Sequence, residues 1–229
     1  MFEYLFLDLD DTILDFHKAE RIAISRTVRE FGLEPTEEVL HRYHLINKWH
    51  WEQLELGKMT RAEVLQNRFG VLFEEFGIRA DKALCARIYE RNLSQGHWFL
   101  PGAEEAVETL SKKYRLFLAS NGTASVQKGR MTSANLYRFF EKVFVSQEIG
   151  HNKPSKAYFD GAFAQIPGFD PQKAIIVGDS LTSDILGGIN TGITTCWVNP
   201  NHLPCRPDIN PDFEIEYLHQ LDNLLESLK

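Results

Sequence analysis

Short apolar runs and long amphipathic stretches occupy different regions of the chain. Residues 4–7 form a short run of aliphatic and aromatic side chains, which predicts a strand buried on both faces. From about residue 16 to residue 97 the apolar positions recur at helical spacing instead, with breaks at Gly32, Gly57 and Gly77. A capping box formed by Thr60 and Glu63 marks the start of one of these helices. The region therefore predicts four or five helices and no strand.

Beyond residue 97, predicted strands and helices alternate. The strands are predicted at 115–119, 142–146, 174–177, 194–198 and 213–215, and the helices at 103–113, 126–136, 156–165, 183–190 and 218–228. Strands that alternate with helices through short links form right-handed crossovers and a parallel sheet. We therefore predict an α/β fold, in which residues 1–15 and 97–229 form a Rossmann-like core and residues 16–96 form an inserted, all-helical domain.

The composition is ordinary for a globular protein and excludes several classes of partner. The 229 residues are 43% hydrophobic and 25% charged, which is enough for a large core. A net charge of -7 argues against a nucleic-acid polymer as partner and gives no reason to expect an anionic membrane surface. Met1 leads directly into the first strand without a basic leader, and no apolar run is long enough to cross a bilayer. We expect a cytoplasmic protein whose three irregularly spaced cysteines are reduced.

Three carboxylates, those of Asp8, Asp10 and Asp11, follow the first predicted strand. Charges this close repel one another, and aspartate is disfavoured in strands, so a cation is expected beside them. Asp8 and Asp10 are two residues apart and share one face of an extended chain, where their oxygens can bind a small hard cation. For this motif alone, a solvated acidic turn after an edge strand is the alternative.

Polar residues also follow the next predicted strands. They are Ser120, Asn121 and Gly122 after the second strand, Lys153 after the third, and Asp179 and Asp184 after the fourth. In open α/β sheets, ligands bind at the carboxyl ends of the strands. Together these residues offer carboxylates for a cation, and a hydroxyl, backbone N–H groups and an ammonium for an anion. That combination predicts a phosphoryl-transfer site.

The pattern resembles the haloacid dehalogenase superfamily, whose four motifs are present in order. The matching residues are Asp8 to Thr12 (DLDDT), Ser120, Lys153, and Gly178 and Asp179 with Asp184. The helical insertion directly after the first motif resembles the C1 type of cap. Residues 178–190, 195–197 and 120–122 resemble the YjjG/YfnB-like branch, whose characterised members are pyrimidine 5'-nucleotidases.

This resemblance implies a Mg2+-dependent phosphatase that acts on a small phosphomonoester, most specifically a pyrimidine nucleoside 5'-monophosphate. Asp8 would be the nucleophile that forms an aspartyl-phosphate, and Asp10 the general acid and then the general base. The implied metal ligands are Asp8, Asp179, the backbone carbonyl of Asp10, and Asp184, which either binds through water or holds Lys153. The residues implied to hold the phosphate are Asp11, Thr12, Ser120, Asn121, Gly122 and Lys153. Taken singly, Lys153 also fits a solvated loop, and Ser120 and Thr12 also fit local backbone capping.

The helical insertion is expected to select the substrate. Asn47 and Trp51 lie one turn apart on one predicted helix, so a base could stack on Trp51 and hydrogen-bond to Asn47. The alternative is that Trp49 or Trp51 packs the core of the insertion.

Several other functions are alternatives to a nucleotidase. A sugar phosphate or FMN could be the substrate, and a sugar-phosphate mutase uses a similar core and cap. A 2-haloacid dehalogenase needs no metal and no acid two residues after the nucleophile, so Asp10, Asp179 and Asp184 argue against it. A binding protein with this fold usually lacks a nucleophile or a metal ligand, whereas both are present here. We expect a small-molecule phosphomonoester as partner and a monomer or small homo-oligomer; the role of the proline-rich segment 200–211 stays open.

Overall fold

The computed structural model describes residues 1–228 and contains a six-stranded parallel sheet in the order β3-β2-β1-β4-β5-β6. The strands are β1 (Tyr4–Leu7), β2 (Arg115–Ser120), β3 (Lys142–Val145), β4 (Ala174–Gly178), β5 (Thr194–Val198) and β6 (Phe213–Ile215). The helices are α1 (Phe16–Glu30), α2 (Glu37–Glu55), α3 (Arg61–Glu75), α4 (Lys82–Leu93), α5 (Ala103–Ser111), α6 (Ala124–Ser133), α7 (Ser146–Ile149), α8 (Lys156–Phe163), α9 (Leu186–Thr191) and α10 (Leu221–Ser227). The predicted parallel α/β sheet is confirmed.

Strand β1 lies at the centre of the sheet, where the direction of chain winding reverses. Leu7, its last residue, is paired with Leu118 of β2 and with Val177 of β4. The chain continues from β1 through β2 to β3 on one side, and β4, β5 and β6 extend the sheet on the other side. A ligand is expected at the carboxyl ends of the strands beside this reversal, which is where Asp8 follows β1.

Both faces of the sheet are covered by apolar side chains, as a parallel sheet requires. Alternate residues of β1 point to opposite faces, so Leu5 and Leu7 belong to one buried cluster and Tyr4 and Phe6 to the other. The rings of Phe6 and Phe117 stack with their centroids 5.2 Å apart. Because β1 is fully buried on both faces, the polar residues at its end are held in a fixed position.

Helices α1 to α4 lie between β1 and α5 in the chain and have an apolar core of their own. Three buried rings, those of Tyr43, Phe69 and Tyr89, lie 5.4 to 5.5 Å apart between centroids. The predicted capping box is present, since the Glu63 side chain accepts from the Thr60 N–H and the Thr60 side chain accepts from the Glu63 N–H. That residues 16–96 form a cap that selects substrate stays a prediction.

The main difference from the predicted elements follows β4. The helix predicted at 183–190 begins as a π-helical turn, Leu181–Ile185, and continues as α9. In this wider turn the N–H of Ser180 donates to the Asp184 carboxylate at 3.2 Å, so the carboxylate lies back against the end of β4. Helix α10 is likewise preceded by a 3-10 turn, Leu218–Gln220. Within residues 1–228, none of the helices combines the length and the apolar content needed to cross a membrane.

Candidate active site

Lys153 and Asp8 form a buried ion pair at the carboxyl end of β1. The Lys153 Nζ lies 2.7 Å from Asp8 Oδ1 and 2.5 Å from Asp184 Oδ1, and it donates to the Ala119 carbonyl at 2.6 Å. Lys153 is only 1% exposed. Burial opposes its charge, but the carboxylates of Asp184 and Asp8 outweigh this effect and raise the pKa of Lys153. The side chain is therefore a fixed ammonium, and a solvated loop position for it is wrong.

Asp8, Asp179 and Asp184 form a group that fits a hard divalent cation. One ligand oxygen from each lies within 4.8 Å of the others. Burial raises the pKa of the Asp8 carboxyl to about 8, with the Lys153 ammonium opposing the shift. Burial and repulsion from Asp8 and Asp184 also raise the pKa of Asp179 well above its usual range. The burial and mutual repulsion that raise the pKa of Asp8 and Asp179 would be relieved by a bound cation, and an all-oxygen set of ligands suits Mg2+.

Asp10 faces away from this group of carboxylates and towards helix α6. Its Oδ2 accepts from Gln127 Nε2 at 2.7 Å, and its Oδ1 accepts from Arg130 Nη1. Its side chain does not belong to the group formed by Asp8, Asp179 and Asp184. The predicted metal ligand from Asp10 was its backbone carbonyl, which stays a prediction.

The loop after β2 is held by hydrogen bonds to Gln127 and to the backbone of Lys153. Ser120 Oγ accepts from the Gly122 N–H at 3.1 Å and from Gln127 Nε2 at 2.8 Å. The Asn121 amide donates to the Lys153 carbonyl at 2.9 Å and accepts from the Lys153 N–H at 2.8 Å. Asn121 therefore joins the loop after β2 to the loop that contains Lys153, so the two predicted phosphate-binding loops form one unit.

Asp11 and Thr12 have different environments. The Asp11 backbone lies in the left-handed region at φ 54°, and its Oδ1 accepts from the N–H groups of Phe16 and His17 at the start of α1. Its own N–H donates to the Leu14 carbonyl at 2.8 Å, so this predicted phosphate donor is already occupied. Thr12 is buried, and among the described residues its Oγ1 has no hydrogen-bond partner. Thr12 therefore has a free hydroxyl, whereas Asp11 caps a helix.

Arg61, the first residue of α3, contacts both loops that are predicted to bind phosphate. Its Nη1 donates to the carbonyls of Asn121 at 3.2 Å and Gly122 at 2.9 Å, and its Nη2 donates to Ser146 Oγ at 2.5 Å and Asn152 Oδ1 at 2.6 Å. Burial lowers the pKa of its guanidinium. Arg61 was not predicted from the sequence, because a capping box indicates where a helix begins and not what its first residue contacts.

A second contact between the helical insertion and the sheet is made by Glu55, the last residue of α2. Its Oε2 accepts from Thr182 Oγ1 at 2.8 Å, in the loop between Asp179 and Asp184. Burial raises the pKa of Glu55 to about 7. Glu55 was not predicted either, because in the sequence it resembles any other polar residue near a helix end.

Asn47 and Trp51, the predicted substrate residues, occupy different environments. Asn47 is 3% exposed; its Nδ2 donates to Glu20 at 2.6 Å and its Oδ1 accepts from Arg68 at 2.6 Å. Both ends of its amide are occupied inside the helical core, so the geometry gives no support to a contact between Asn47 and a base. Trp51 is partly buried, with the Arg61 guanidinium 5.6 Å from its ring centroid, and Trp49 is 49% exposed. Trp51 therefore lies beside Arg61, which contacts the loops predicted to bind phosphate, and the role of Trp51 stays a prediction.

Comparison with known proteins places this fold and site in one family. A family model described as haloacid dehalogenase-like hydrolase matches residues 4–198. The chain is 40% identical over 221 residues to the HAD-hydrolase YfnB of Bacillus subtilis, covering 96% of this chain and 94% of YfnB. It is 36% identical to the pyrimidine 5'-nucleotidase PynA of Streptococcus pneumoniae, covering 99% and 98% of the two chains. It is 29% identical to the pyrimidine 5'-nucleotidase YjjG of Escherichia coli, covering 97% of each.

Solved structures agree with the sequence comparison. The orthorhombic crystal form of Bacillus subtilis YfnB, which is bound to magnesium and reveals interdomain movement, has a TM-score of 0.94 with this chain. The two sequences are 39% identical, and the similarity covers 98% of each chain.

Proposed function

This chain belongs to the haloacid dehalogenase-like hydrolase family, and on that basis we propose that it is a Mg2+-dependent phosphatase of small phosphomonoesters. The observation that carries the proposal is the buried ammonium of Lys153 between Asp8 and Asp184, beside Asp179. A phosphate ester and an aspartate nucleophile are both anions, so they approach each other only where positive charge is fixed in advance. Lys153 supplies one such charge, and the three carboxylates are suited to hold a second.

We propose Asp8 as the nucleophile. One of its carboxylate oxygens forms a bond to phosphorus while the ester P–O bond breaks, which gives an aspartyl-phosphate and releases the alcohol. Water then attacks phosphorus, the bond to Asp8 breaks, and inorganic phosphate leaves with the carboxylate restored. Asp8 suits this role because it follows the central strand and Lys153 fixes its position.

Asp10 is the proposed proton carrier in both steps. It gives a proton to the oxygen of the leaving alcohol in the first step and takes one from the attacking water in the second step. Its carboxyl is 29% exposed and lies outside the group of carboxylates suited to the metal. The Asp10 carboxyl is therefore partly exposed, and it is not one of the side chains proposed to hold the cation.

Asp8, Asp179 and Asp184 would hold Mg2+, together with the Asp10 carbonyl. The bound ion supplies positive charge to the phosphate oxygens and lowers the repulsion between substrate and nucleophile. Gly178 is required beside this site, because a Cβ at that position would overlap the Asp184 carboxylate. Ser120, Lys153 and the N–H group of Asn121 would hold the transferred phosphoryl oxygens, whereas the Gly122 N–H already donates to Ser120 Oγ.

The proposed substrate class is pyrimidine nucleoside 5'-monophosphates. The support is the similarity along nearly the whole chain to two relatives that are named pyrimidine 5'-nucleotidases. Trp51 offers a partly buried aromatic face near the loops proposed to bind phosphate. Since the amide of Asn47 is occupied, the base would be recognised by stacking on Trp51 more than by Asn47.

A panel of phosphate esters tests the proposal. Phosphate release is measured from UMP, dUMP, dTMP, sugar phosphates and FMN, with Mg2+ and with EDTA. We expect Mg2+-dependent release, with the pyrimidine nucleotides hydrolysed most efficiently. Preference for sugar phosphates or FMN would keep the phosphatase and replace the substrate. An isomerised sugar phosphate without phosphate release would indicate a mutase, and halide release from 2-haloacids without Mg2+ would indicate a dehalogenase.

A further inference from the structure

Two buried polar residues on α6, Gln127 and Arg130, lie one turn apart on the side of the helix that faces Asp10. Gln127 is 2% exposed and Arg130 is 1% exposed, and Arg130 is one of the largest fully buried side chains in the protein. A buried guanidinium costs much free energy unless it is paired, and well-packed apolar residues often replace such pairs without loss of stability. Packing alone therefore does not explain an arginine at this position.

Between them, Gln127 and Arg130 hold both oxygens of the Asp10 carboxylate. Arg130 Nη1 donates to Asp10 Oδ1, and Gln127 Nε2 donates to Asp10 Oδ2 at 2.7 Å. Gln127 also donates to Ser120 Oγ at 2.8 Å and accepts from Arg130 at 3.3 Å. The orientation of Asp10 is thereby fixed relative to the loop that is proposed to bind phosphate.

Arg130 also contacts both connections between the sheet and the inserted helices. Its Nε donates to the Gly96 carbonyl at 3.0 Å, between α4 and α5, and its guanidinium lies 5.7 Å from the ring centroid of Phe16, which begins α1. Among the described residues its Nη2 has no hydrogen-bond partner. The guanidinium is therefore held by contacts with both connections, and its Nη2 remains available as a hydrogen-bond donor.

We propose that Arg130, supported by Gln127, is a positioning residue for Asp10 in proton transfer to the leaving group; this proposal rests on the proposed phosphatase function. As Asp10 gives its proton to the oxygen of the departing alcohol, the ester P–O bond breaks and a carboxylate forms against the guanidinium. Arg130 stabilises that carboxylate, and together with Gln127 it keeps the carboxylate at a fixed position relative to Ser120. Its contribution is greatest for esters whose leaving group needs a proton.

The test compares two esters with different leaving groups. Departure of p-nitrophenolate from p-nitrophenyl phosphate needs no proton, whereas departure of the UMP ribose 5'-oxygen does. Because kcat/KM reports only the steps up to the first irreversible one, it separates this proton transfer from hydrolysis of the aspartyl-phosphate. For Arg130→Met we expect kcat/KM to fall about 100-fold or more with UMP and less than about fivefold with p-nitrophenyl phosphate. Arg130→Lys, which keeps the charge, should recover part of the loss with UMP.

Arg68→Met is the matched control, since Arg68 is also 2% exposed but lies in the helical core and bonds to Asn47. We expect it to change kcat/KM by the same factor for both esters. If Arg130→Met does not fold, Arg130→Gln, which keeps a hydrogen-bond donor, takes its place with the same difference between esters expected.

Equal losses with both esters, or no loss with UMP, would overturn the positioning role of Arg130. Absence of phosphate release from both esters in the wild-type protein is a separate result, which would overturn the proposed function itself. If UMP is not hydrolysed but another alkyl ester is, that ester replaces UMP in the comparison.

Discussion

Arg61 Nη1 lies 2.9 Å from the carbonyl oxygen of Gly122, a residue that is 61 positions further along the chain. The contact joins the start of α3 in the helical insertion to the loop after β2. The same guanidinium also reaches Ser146 and Asn152. One side chain thus links the insertion to both loops that are proposed to bind phosphate.

Replacing Arg61 with alanine should impair catalysis more than stability. The four acceptors on the sheet side would lose their partner, and the insertion would dock less firmly on the phosphate-binding loops. Because hydrogen bonds to a charged group contribute about 1.5–3 kcal/mol each, we expect kcat/KM to fall about 10-fold or more. The matched control is Arg42→Ala, because Arg42 pairs with Glu75 inside the insertion and does not reach the sheet. Equal kinetics for the Arg61 and Arg42 variants would contradict this role.

Replacing Gly178 with alanine should weaken Mg2+ binding. The added methyl group would overlap the Asp184 carboxylate and displace it from Asp179 and Asp8. Displacing a metal ligand or its support typically costs about 10-fold to 100-fold in affinity, so a loss of about 10-fold or more is expected in a calorimetric titration with Mg2+. Gly70→Ala is the control, because its Cβ would meet only Lys82 Cδ at 3.6 Å. Unchanged affinity in the Gly178 variant would argue against this ligand set.

The Glu55 carboxyl should make stability depend on pH in the absence of metal. Its pKa is about 7 in the folded protein, against an ordinary value of 4.5, so folding takes up a proton between these values. Its contribution is fully present below pH 4.5 and is lost as the pH rises through about 7, because the buried carboxylate must then ionise.

Glu55→Gln keeps a side-chain oxygen that accepts the hydrogen bond from Thr182, and it removes the free-energy cost of ionising a buried carboxyl. In urea unfolding with EDTA, the variant should gain stability relative to wild type as the pH rises from 5 to 8, by on the order of 1 kcal/mol. Glu38→Gln, on an exposed position of the same helix, controls for the removal of one carboxylate. A difference between the Glu55 variant and wild type that stays constant over this pH range would contradict the expectation.

Asp10→Asn should separate proton transfer from metal binding. The amide cannot give or take the proton, so turnover of an alkyl phosphate should fall about 100-fold to 10,000-fold. The Asp10 side chain lies outside the proposed metal ligands, so Mg2+ affinity in a calorimetric titration should change little. Loss of Mg2+ binding would show that the Asp10 carboxylate, and not only its carbonyl, is a ligand.

Much of the fold followed from local sequence patterns. The strands at 4–7, 194–198 and 213–215 have the predicted bounds, because β-branched, aromatic and aliphatic residues predominate in each. The residues at strand ends could be predicted because parallel strands bring their carboxyl ends to one edge, where Asp8, Lys153 and Asp184 meet.

The residues that were missed depend on contacts distant in the chain. Arg61 and Arg130 are ordinary helical arginines in the sequence, and only packing of the insertion and of α6 brings them to the site. Asn47 was predicted as a substrate residue from its helical spacing with Trp51. Helical spacing predicts which residues share a face of a helix but not which partner that face contacts. The face of Asn47 meets Glu20 and Arg68.

The central claim, covalent catalysis by Asp8, is tested most directly by mass spectrometry after acid quench. Asp10→Asn protein, in which hydrolysis of the intermediate should be slowed, is mixed with Mg2+ and p-nitrophenyl phosphate, whose leaving group needs no proton from Asp10, and is then digested. We predict that the peptide containing Asp8 gains the mass of one phosphoryl group, and that the same peptide carrying Asp8→Asn does not. Phosphate release without such an adduct, or an adduct on another residue, would contradict the account.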